Sequence, residues 1–221
     1  MPVHNEAAII ERTLVGLQGL RNLGAEVIVV DGASSDSTAS IADPLCDQLL
    51  SKSAGRARQL QAGIEAAQGP LVWMLHADSV VETDHFTFLQ NHREAPWGFF
   101  NIGLSGRLWQ LRVVEWSMNM RTRLTGIATG DQGIFAQRGL LERIGGIPAL
   151  PLMEDIELSK RLRRQARPLI ARPTLITSSR RWEQRGVGRT VLEMWTLRAA
   201  YTLGVSPARI ADYYQRRAPR G

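Results

Sequence analysis

The sequence predicts an α/β protein built on a doubly wound, mainly parallel sheet with helices on both faces. Short apolar, β-branched runs alternate with stretches of helical periodicity, the order that parallel strands joined by crossover helices require. Two of those runs, Glu26 to Val30 and Pro70 to Leu75, are followed within three residues by Asp31 and Asp78. Ligands of such sheets collect at the carboxyl ends of the strands, so both acids are expected at one crevice. A hydrophobic fraction of 44% over 221 residues supplies a core for one large domain or two small ones and excludes a disordered chain.

In chain order, Ile10, Leu14, Leu17 and Leu20 share one face of a helix over 7–20, and 26–30 is the strand after it. A turn of small polar residues, 31–38, leads into a second helix that runs to about Asp43. Residues 47–51 read as a short strand, 54–67 as a helix, and 70–75 as a strand that ends at His76. Residues 98–111 read as strand or loop, and 111–124 as a helix. Beyond the Gly130-Asp-Gln-Gly turn come a helix over 138–144, a Gly-Gly-Ile-Pro turn, a helix over 154–165 and a strand over about 168–176. Two Arg-rich helices, 188–204 and 207–216, close the chain, and no repeat or clear linker interrupts it.

No apolar run approaches the roughly 20 residues of a spanning helix, so a soluble or surface-associated protein is expected. Cys46 is the single cysteine and can neither close a disulfide within the chain nor form a cysteine cage for zinc. The first residues lack the basic-then-apolar pattern of a secretory signal, and a reducing, cytoplasmic setting is expected. Charge is unevenly placed: residues 1–110 hold 7 basic and 12 acidic side chains and residues 111–221 hold 20 and 9, so the second half attracts anions. Of the 27 basic residues 25 are Arg, whose planar fork suits phosphate, although an Arg-rich codon usage would give the same count. Nucleic acid, nucleotide phosphates and an acidic membrane surface are the partner classes that follow.

Four motifs occur in order: Pro2-Val-His-Asn-Glu6, Val30-Asp-Gly-Ala-Ser-Ser-Asp36, His76-Ala-Asp78 and Met153-Glu-Asp-Ile-Glu-Leu158. In this order and spacing the chain resembles the inverting family 2 glycosyltransferases across roughly residues 1–185. With Gly55-Arg-Ala-Arg-Gln-Leu-Gln-Ala-Gly63, Gly130-Asp-Gln132 and Pro151-Leu-Met-Glu-Asp155, it is also similar to a narrower bacterial branch associated with arsenosugar or related biosynthesis.

The resemblance implies a GT-A fold, with a nucleotide-binding half over about 1–110, an acceptor half over about 111–185 and an Arg-rich helical extension over 186–221. It places Pro2, Val3 and Glu6 against the nucleoside of a nucleotide-sugar donor and Asp31 against the base. A carboxylate only accepts hydrogen bonds, so Asp31 would favour uracil or guanine, whose ring N–H donates. The alternative for Asp31 is a turn residue that satisfies backbone N–H groups, while Ser34, Ser35, Asp36 and Thr38 read as caps of the following helix. His76, Ala77 and Asp78 stand where the family holds Mn²⁺ or Mg²⁺ against the donor diphosphate, with Asp78 matching the metal-relevant carboxylate. His76 departs from the family's first Asp, and it either binds metal, touches ribose or fills a strand end. Arg56 and Arg58, with Lys52, are candidates for the diphosphate.

Asp155 matches the catalytic base, and a carboxylate at a helix start stays ionised. Inversion needs one base on the acceptor hydroxyl while the donor leaves from the opposite side. Asp131, Gln132 and Glu154 fall on the acceptor side, with helix-dipole complementation as the alternative for Glu154. Arg181 and Trp182 match an Arg-Trp pair found in processive members, but Ser178 stands where those have Gln, which argues against processive synthesis. Arg181 would hold a phosphate and Trp182 stack on a sugar, or the pair is a surface ion pair beside a core Trp.

A further departure lies at the front, where the family has an apolar strand before Pro2. Either the strand lies upstream of Met1 or the neighbouring strands close up. The acceptor is an unidentified small molecule or lipid. A homodimer and peripheral membrane contact through the tail, where Met194, Trp195, Leu197, Leu203, Tyr213 and Tyr214 interleave with Arg, are compatible with the sequence.

Two other classes compete. A basic module for nucleic acid or an anionic membrane would use the second half, but needs no acids at strand ends, and nucleic acid is not expected as a partner. A nucleotidyltransferase would need a glycine-rich phosphate loop at the start, which Pro2 to Glu6 does not supply.

Overall fold

The computed structural model describes residues 1–217, so the last residues of the 186–221 extension, 218–221, lie outside the described part. Seven strands run in the order β1 (Pro2–Val3), β2 (Ile28–Asp31), β3 (Gln48–Ser51), β4 (Leu71–Trp73), β5 (Trp97–Leu104), β6 (Phe135–Gln137) and β7 (Leu169–Thr177). The first helices are α1 (Ile10–Asn22), α2 (Thr38–Ala42), α3 (Arg56–Ala66), α4 (Thr83–Asn91) and α5 (Trp109–Thr125). After them come α6 (Arg138–Arg143), α7 (Glu154–Gln165), α8 (Arg180–Arg185), α9 (Val187–Thr202) and α10 (Pro207–Arg217).

The strands form two hydrogen-bonded groups. β1, β2 and β3 are parallel in that order, with Val3 opposite Asp31 and Asp31 opposite Ser51. The second group runs β4-β6-β5-β7, where β6 is antiparallel to both neighbours and β5 is parallel to β7 with a register shift between Phe100 and Asn101. The sheet is thus mainly parallel, as the alternation of elements predicts, with β6 as the reversed strand.

β5 is central and buried on both sides, with Trp97 and Phe99 in one cluster and Phe100 in another. The ring of Phe100 lies 5.1 Å from Trp73 and 5.6 Å from Phe135, which locks β4, β5 and β6 together just behind the segment leaving β4. Truncating such a fully buried Phe typically costs about 3–5 kcal/mol.

Helices form where apolar spacing and caps agree. α1 buries Ile10, Leu14, Leu17 and Leu20, and α7 carries Glu154, Asp155 and Glu157 in its first turn and Arg163 and Arg164 in its last. α5 ends at Gly126, whose φ of 65° is the left-handed cap that glycine adopts without strain. α4 has a less usual start: Glu82 receives the His85 backbone N–H, and the Glu82 N–H donates to His85 Nδ1 at 3.1 Å.

The neighbouring strands do not close up at the front. β1 keeps only two residues, its leading amino group donates to the Ile28 carbonyl at 2.8 Å, and burial lowers that amine to about 5. A cavity of about 880 Å³ separates β2 from β4, lined by Met1, Ile28, Leu71 and Trp73 among others. It lies apart from the cleft that gathers the polar motifs.

The tail packs on α7. Leu197 and Ile210 bury against Met153 and Ile156, Met194 and Tyr214 join them, and Tyr201 donates to Glu157 at 3.2 Å. Trp195, Leu203 and Tyr213 stay exposed. Among the described residues no helix is long and apolar enough to cross a membrane.

Candidate active site

Three segments with non-glycine residues at positive φ surround the cleft: Asn5 at 53°, Ala33 at 58° and Met153 at 68°. Such residues cost about 1–3 kcal/mol each and persist where surrounding bonds over-determine them. The first two illustrate this. Asn5 N donates to Ser34 Oγ at 2.9 Å and its Oδ1 accepts Ser35 N at 2.8 Å. Glu6 N donates to Thr38 Oγ1 at 2.7 Å and Ala7 N to Asp36 at 3.2 Å. The 4–7 and 31–38 loops are therefore one hydrogen-bonded unit at the ends of β1 and β2.

Asp31 is buried at the tip of β2 and accepts the Ser34 backbone N–H at 3.0 Å together with the Ser34 hydroxyl. It serves the turn, which was the alternative reading, while each oxygen keeps a free lone pair. Of the expected caps, Asp36 meets the Thr38 N–H at 3.0 Å, whereas Ser34 and Ser35 bind the opposite loop. Pro2 is half-buried, and the Val3 carbonyl accepts Gly32 N and the Gln59 side chain, both at 2.8 Å.

His76, Ala77 and Asp78 leave β4, with the Ala77 carbonyl held by Thr13 and Asp78 Oδ1 held by Thr177 at 3.2 Å. Burial raises the Glu6 carboxyl, Arg180 opposes this, and Asp78 and Asp36 add to it, so three acids act on one another here. Their hard oxygens suit Mg²⁺ or Mn²⁺. Among the described residues no three His, Cys, Asp or Glu side chains group closely enough to hold a metal alone, so a cation at Asp78 would take most of its shell from diphosphate and water.

On the other side a chain of charges runs through the cleft. Arg56 Nε lies 3.1 Å from Glu154 Oε1, Arg56 Nη2 meets His76 Nε2, and His76 Nδ1 lies 3.2 Å from Asp131 Oδ1. Arg56 and Asp131 thus face the two ring nitrogens of His76. His76 therefore has both nitrogens committed and is not free to bind metal or ribose, a correction to its place beside Ala77 and Asp78 in the donor set. Burial would raise the Asp131 carboxyl, but the hydrogen bond and charge of His76, with Arg56 and Arg181, hold it at about 2. Burial raises Glu154, Arg56 opposes it and Asp155 reinforces it. Burial disfavours the Arg56 charge, yet Glu154, Asp155 and Asp131 outweigh this.

Asp155 opens α7 because Met153, in the left-handed region, swings the chain into the helix. Its Oδ1 accepts Ile156 N at 2.7 Å and its Oδ2 accepts Gly130 N at 2.9 Å. It is half-buried, so a lone pair on each oxygen is left to take a proton.

Four expected site residues lie elsewhere. Gln132 is fully buried and accepts Thr122 Oγ1 at 3.0 Å and Thr129 N at 3.1 Å, so it holds the turn that presents Asp131 rather than lining the cleft. Trp182 packs among Leu111, Val114 and Val187, which turns it into an apolar cluster instead of toward a sugar. Arg58 is exposed and folds back onto the Ala54 carbonyl at 2.6 Å, away from Arg56, and Lys52 is exposed as well. Arg181 does join the site, through its charge on Asp131 and its bond to Tyr214.

Two residues escaped sequence reasoning. Gln59 is buried and ties α3 to β1 and β2 through the Val3 and Val30 carbonyls, and its only signal is a position three residues after Arg56. Arg121 points from α5 into the site, where Asp155 and Asp131 act on it.

Comparison with known proteins agrees with this geometry. Residues 1–99 match the model of glycosyl transferase family 2. No curated protein matches the chain in sequence. Among solved structures, the chain is similar to S. aureus TarS residues 1–349 in complex with UDP, at 17% identity and a TM-score of 0.63 over 80% of this chain and 58% of that one. It is also similar to the mannosyltransferase PcManGT from Pyrobaculum calidifontis in complex with GDP-Man and Mn²⁺, at 23% identity and 0.65 over 90% and 59%. A third is glucosyl-3-phosphoglycerate synthase from Mycobacterium tuberculosis with Mg²⁺ and UDP, at 20% identity and 0.57 over 80% and 67%. The chain thus spans under three fifths of the first two, and the fold it shares with them is GT-A.

Proposed function

We propose that this chain transfers a sugar from a UDP- or GDP-linked donor to an acceptor hydroxyl, with inversion and the help of Mn²⁺ or Mg²⁺. The observation that carries the reading is Asp155, a carboxylate fixed by two backbone N–H groups and joined through Gly130, Asp131 and His76 to the segment bearing Asp78. Asp155 takes the proton of the acceptor hydroxyl as its oxygen bonds to the anomeric carbon and the bond from that carbon to the diphosphate oxygen breaks. In this reading Arg56 meets the leaving diphosphate, and the 4–7 and 31–38 loops hold the nucleoside. A cation at Asp78 would neutralise the charge developing on the diphosphate. The neighbours that carry UDP, GDP-Man, Mg²⁺ or Mn²⁺ support this donor class. The test is release of nucleoside diphosphate, rather than pyrophosphate, from sugar nucleotides screened with Mn²⁺, and exclusive release of pyrophosphate contradicts it.

We also propose a cytoplasmic protein that meets an anionic membrane through α5 and α9 rather than through the whole tail. Trp109, Val113, Trp116, Met120 and Leu124 are exposed along one stripe of α5, with the two Trp at 71% and 65%. Leu192 and Trp195 are exposed on α9, which packs beside α5. The only acids of these helices, Glu115 and Glu193, are mostly buried and paired with Arg, while Arg107, Arg123 and Arg189 are exposed. Each basic group near such a surface adds about 1 kcal/mol. Full-length protein is expected to sediment with phosphatidylserine vesicles at low ionic strength and W109A/W116A to lose this, and no sedimentation overturns the reading.

A further inference from the structure

Arg121 and Arg181 carry N–H groups that the protein itself does not use. Arg121 Nε is buried without a hydrogen-bond partner, and its Nη2 makes only a long contact of 3.4 Å with Thr122 Oγ1. Thr122, the next residue, is bonded to Gln132 at 3.0 Å, so α5 is clamped to the turn that carries Asp131. Arg181 lies over the Tyr214 ring at 4.7 Å and donates Nη1 to its hydroxyl. Its Nε and Nη2 are buried without a hydrogen bond, and Nη2 stands 3.7 Å from Glu193.

A charged guanidinium with unpaired buried N–H groups is costly, and such groups in a folded protein call for a ligand or water. The nearby acids do not supply the bonds. Each oxygen of Asp155 holds a backbone N–H, of Gly130 or Ile156, and makes no hydrogen bond to either arginine, while Asp131 pairs with His76. Burial pushes Arg121 below the usual guanidinium range, and Asp155 and Asp131 are the acids that oppose this. Arg56 Nε also makes no well-aligned hydrogen bond, but it stands 3.1 Å from Glu154 Oε1 in an ion pair, and its Nη2 meets His76 Nε2.

We infer that Arg121 and Arg181 bind an anionic group on the acceptor, a phosphate or a carboxylate, and so place its hydroxyl at Asp155. The inference rests on the glycosyl-transfer reading and specifies its acceptor. Guanidinium forks match both oxyanions in a bidentate way, and the remainder of the acceptor then turns its hydroxyl toward the base.

The probes are glycerol 3-phosphate, glycerate and glycerol, which share hydroxyls and differ in charge. Calorimetry on the full chain at fixed ionic strength is run with and without saturating UDP or GDP and Mn²⁺. One or both charged probes are expected to bind, whether or not nucleotide is present, and glycerol is not. R121Q and R181Q should each weaken that binding at least tenfold while nucleoside diphosphate affinity stays within twofold. R121K should recover part of it, and R164Q, altering an exposed Arg at the far end of α7, should change nothing. Melting curves identify a variant that fails to fold, in which case the other variant and the charged-against-neutral comparison decide. Charged probes that bind no better than glycerol, or that nucleotide displaces, overturn the inference. Charged probes that bind through both arginines in a protein that takes up no nucleotide support the anion site and sink the glycosyl-transfer reading instead.

Discussion

Two sides of the cleft hold their polar groups differently. Around β1 and β2, Asn5, Ser34, Asp36 and Thr38 satisfy one another and the backbone across two loops. Around α7, Glu154, Arg56, His76 and Asp131 form a line of charges, and Arg121 and Arg181 keep unpaired N–H groups beside it. That network of short bonds between loops is complete before any ligand arrives. A line of partly buried charges is completed by what binds, so single substitutions and pH should act mainly there.

The largest effect is expected for D155N, which keeps the shape and cannot accept the proton. Turnover should fall about 10² to 10⁴-fold, and a rate within threefold of wild type would remove Asp155 from the base role. Next comes G130A. An added Cβ would stand 1.5 Å from Arg56 Nη2 and 2.6 Å from His76 Nε2, so both must move. Displacements of that size cost about 10²-fold in turnover, and a crystal structure of the variant with Arg56 and His76 unmoved would refute the steric argument.

A smaller effect is expected away from the charges. An apolar, strand-forming segment fused ahead of Met1 should fill the 880 Å³ slot between β2 and β4. A gain of 1 kcal/mol would raise the melting temperature by about 2–4 °C in a chain of this size, and an unchanged melting temperature would show that the slot does not accept a strand. The smallest effect concerns acid. Asp131 has its carboxyl at about 2 in the folded state against 3.8 ordinarily, so its stabilisation is complete above pH 4 and fades as pH falls toward 2. Urea unfolding of D131N should therefore lose less stability than wild type between pH 5 and pH 3, and parallel losses would contradict the pairing with His76.

Legibility followed the same division. Helix α7 begins at Glu154 and ends at Gln165 as its periodicity predicts, because local acids, apolar spacing and the dipole all agree. Strand β4 is shorter than the apolar run suggests, 71–73 rather than 70–75, since the chain turns away to place His76. Helix α4 was not legible: it starts at Glu82 with His85 reaching back, and Thr and Phe along it favour strands as much as helices. Nor was the reversed strand β6, whose three residues are too few for a period to register. Within the site, the structure brings Asp131 and Asp155 together around Gly130 and His76, but the directions of Gln132 and Trp182 depend on distant packing by Thr122 and Val187. The burial of Arg121 has no local signature, because neighbouring Arg123 looks the same in sequence and is exposed.

The central claim is that Asp78 serves the donor and Asp155 the acceptor, and Mn²⁺-dependent binding of UDP and GDP to wild type, D78A and D155N tests it most directly. The account predicts that D78A loses the metal-dependent part of nucleoside diphosphate affinity while D155N keeps it. Equal affinity in wild type and D78A, with and without Mn²⁺, would contradict it.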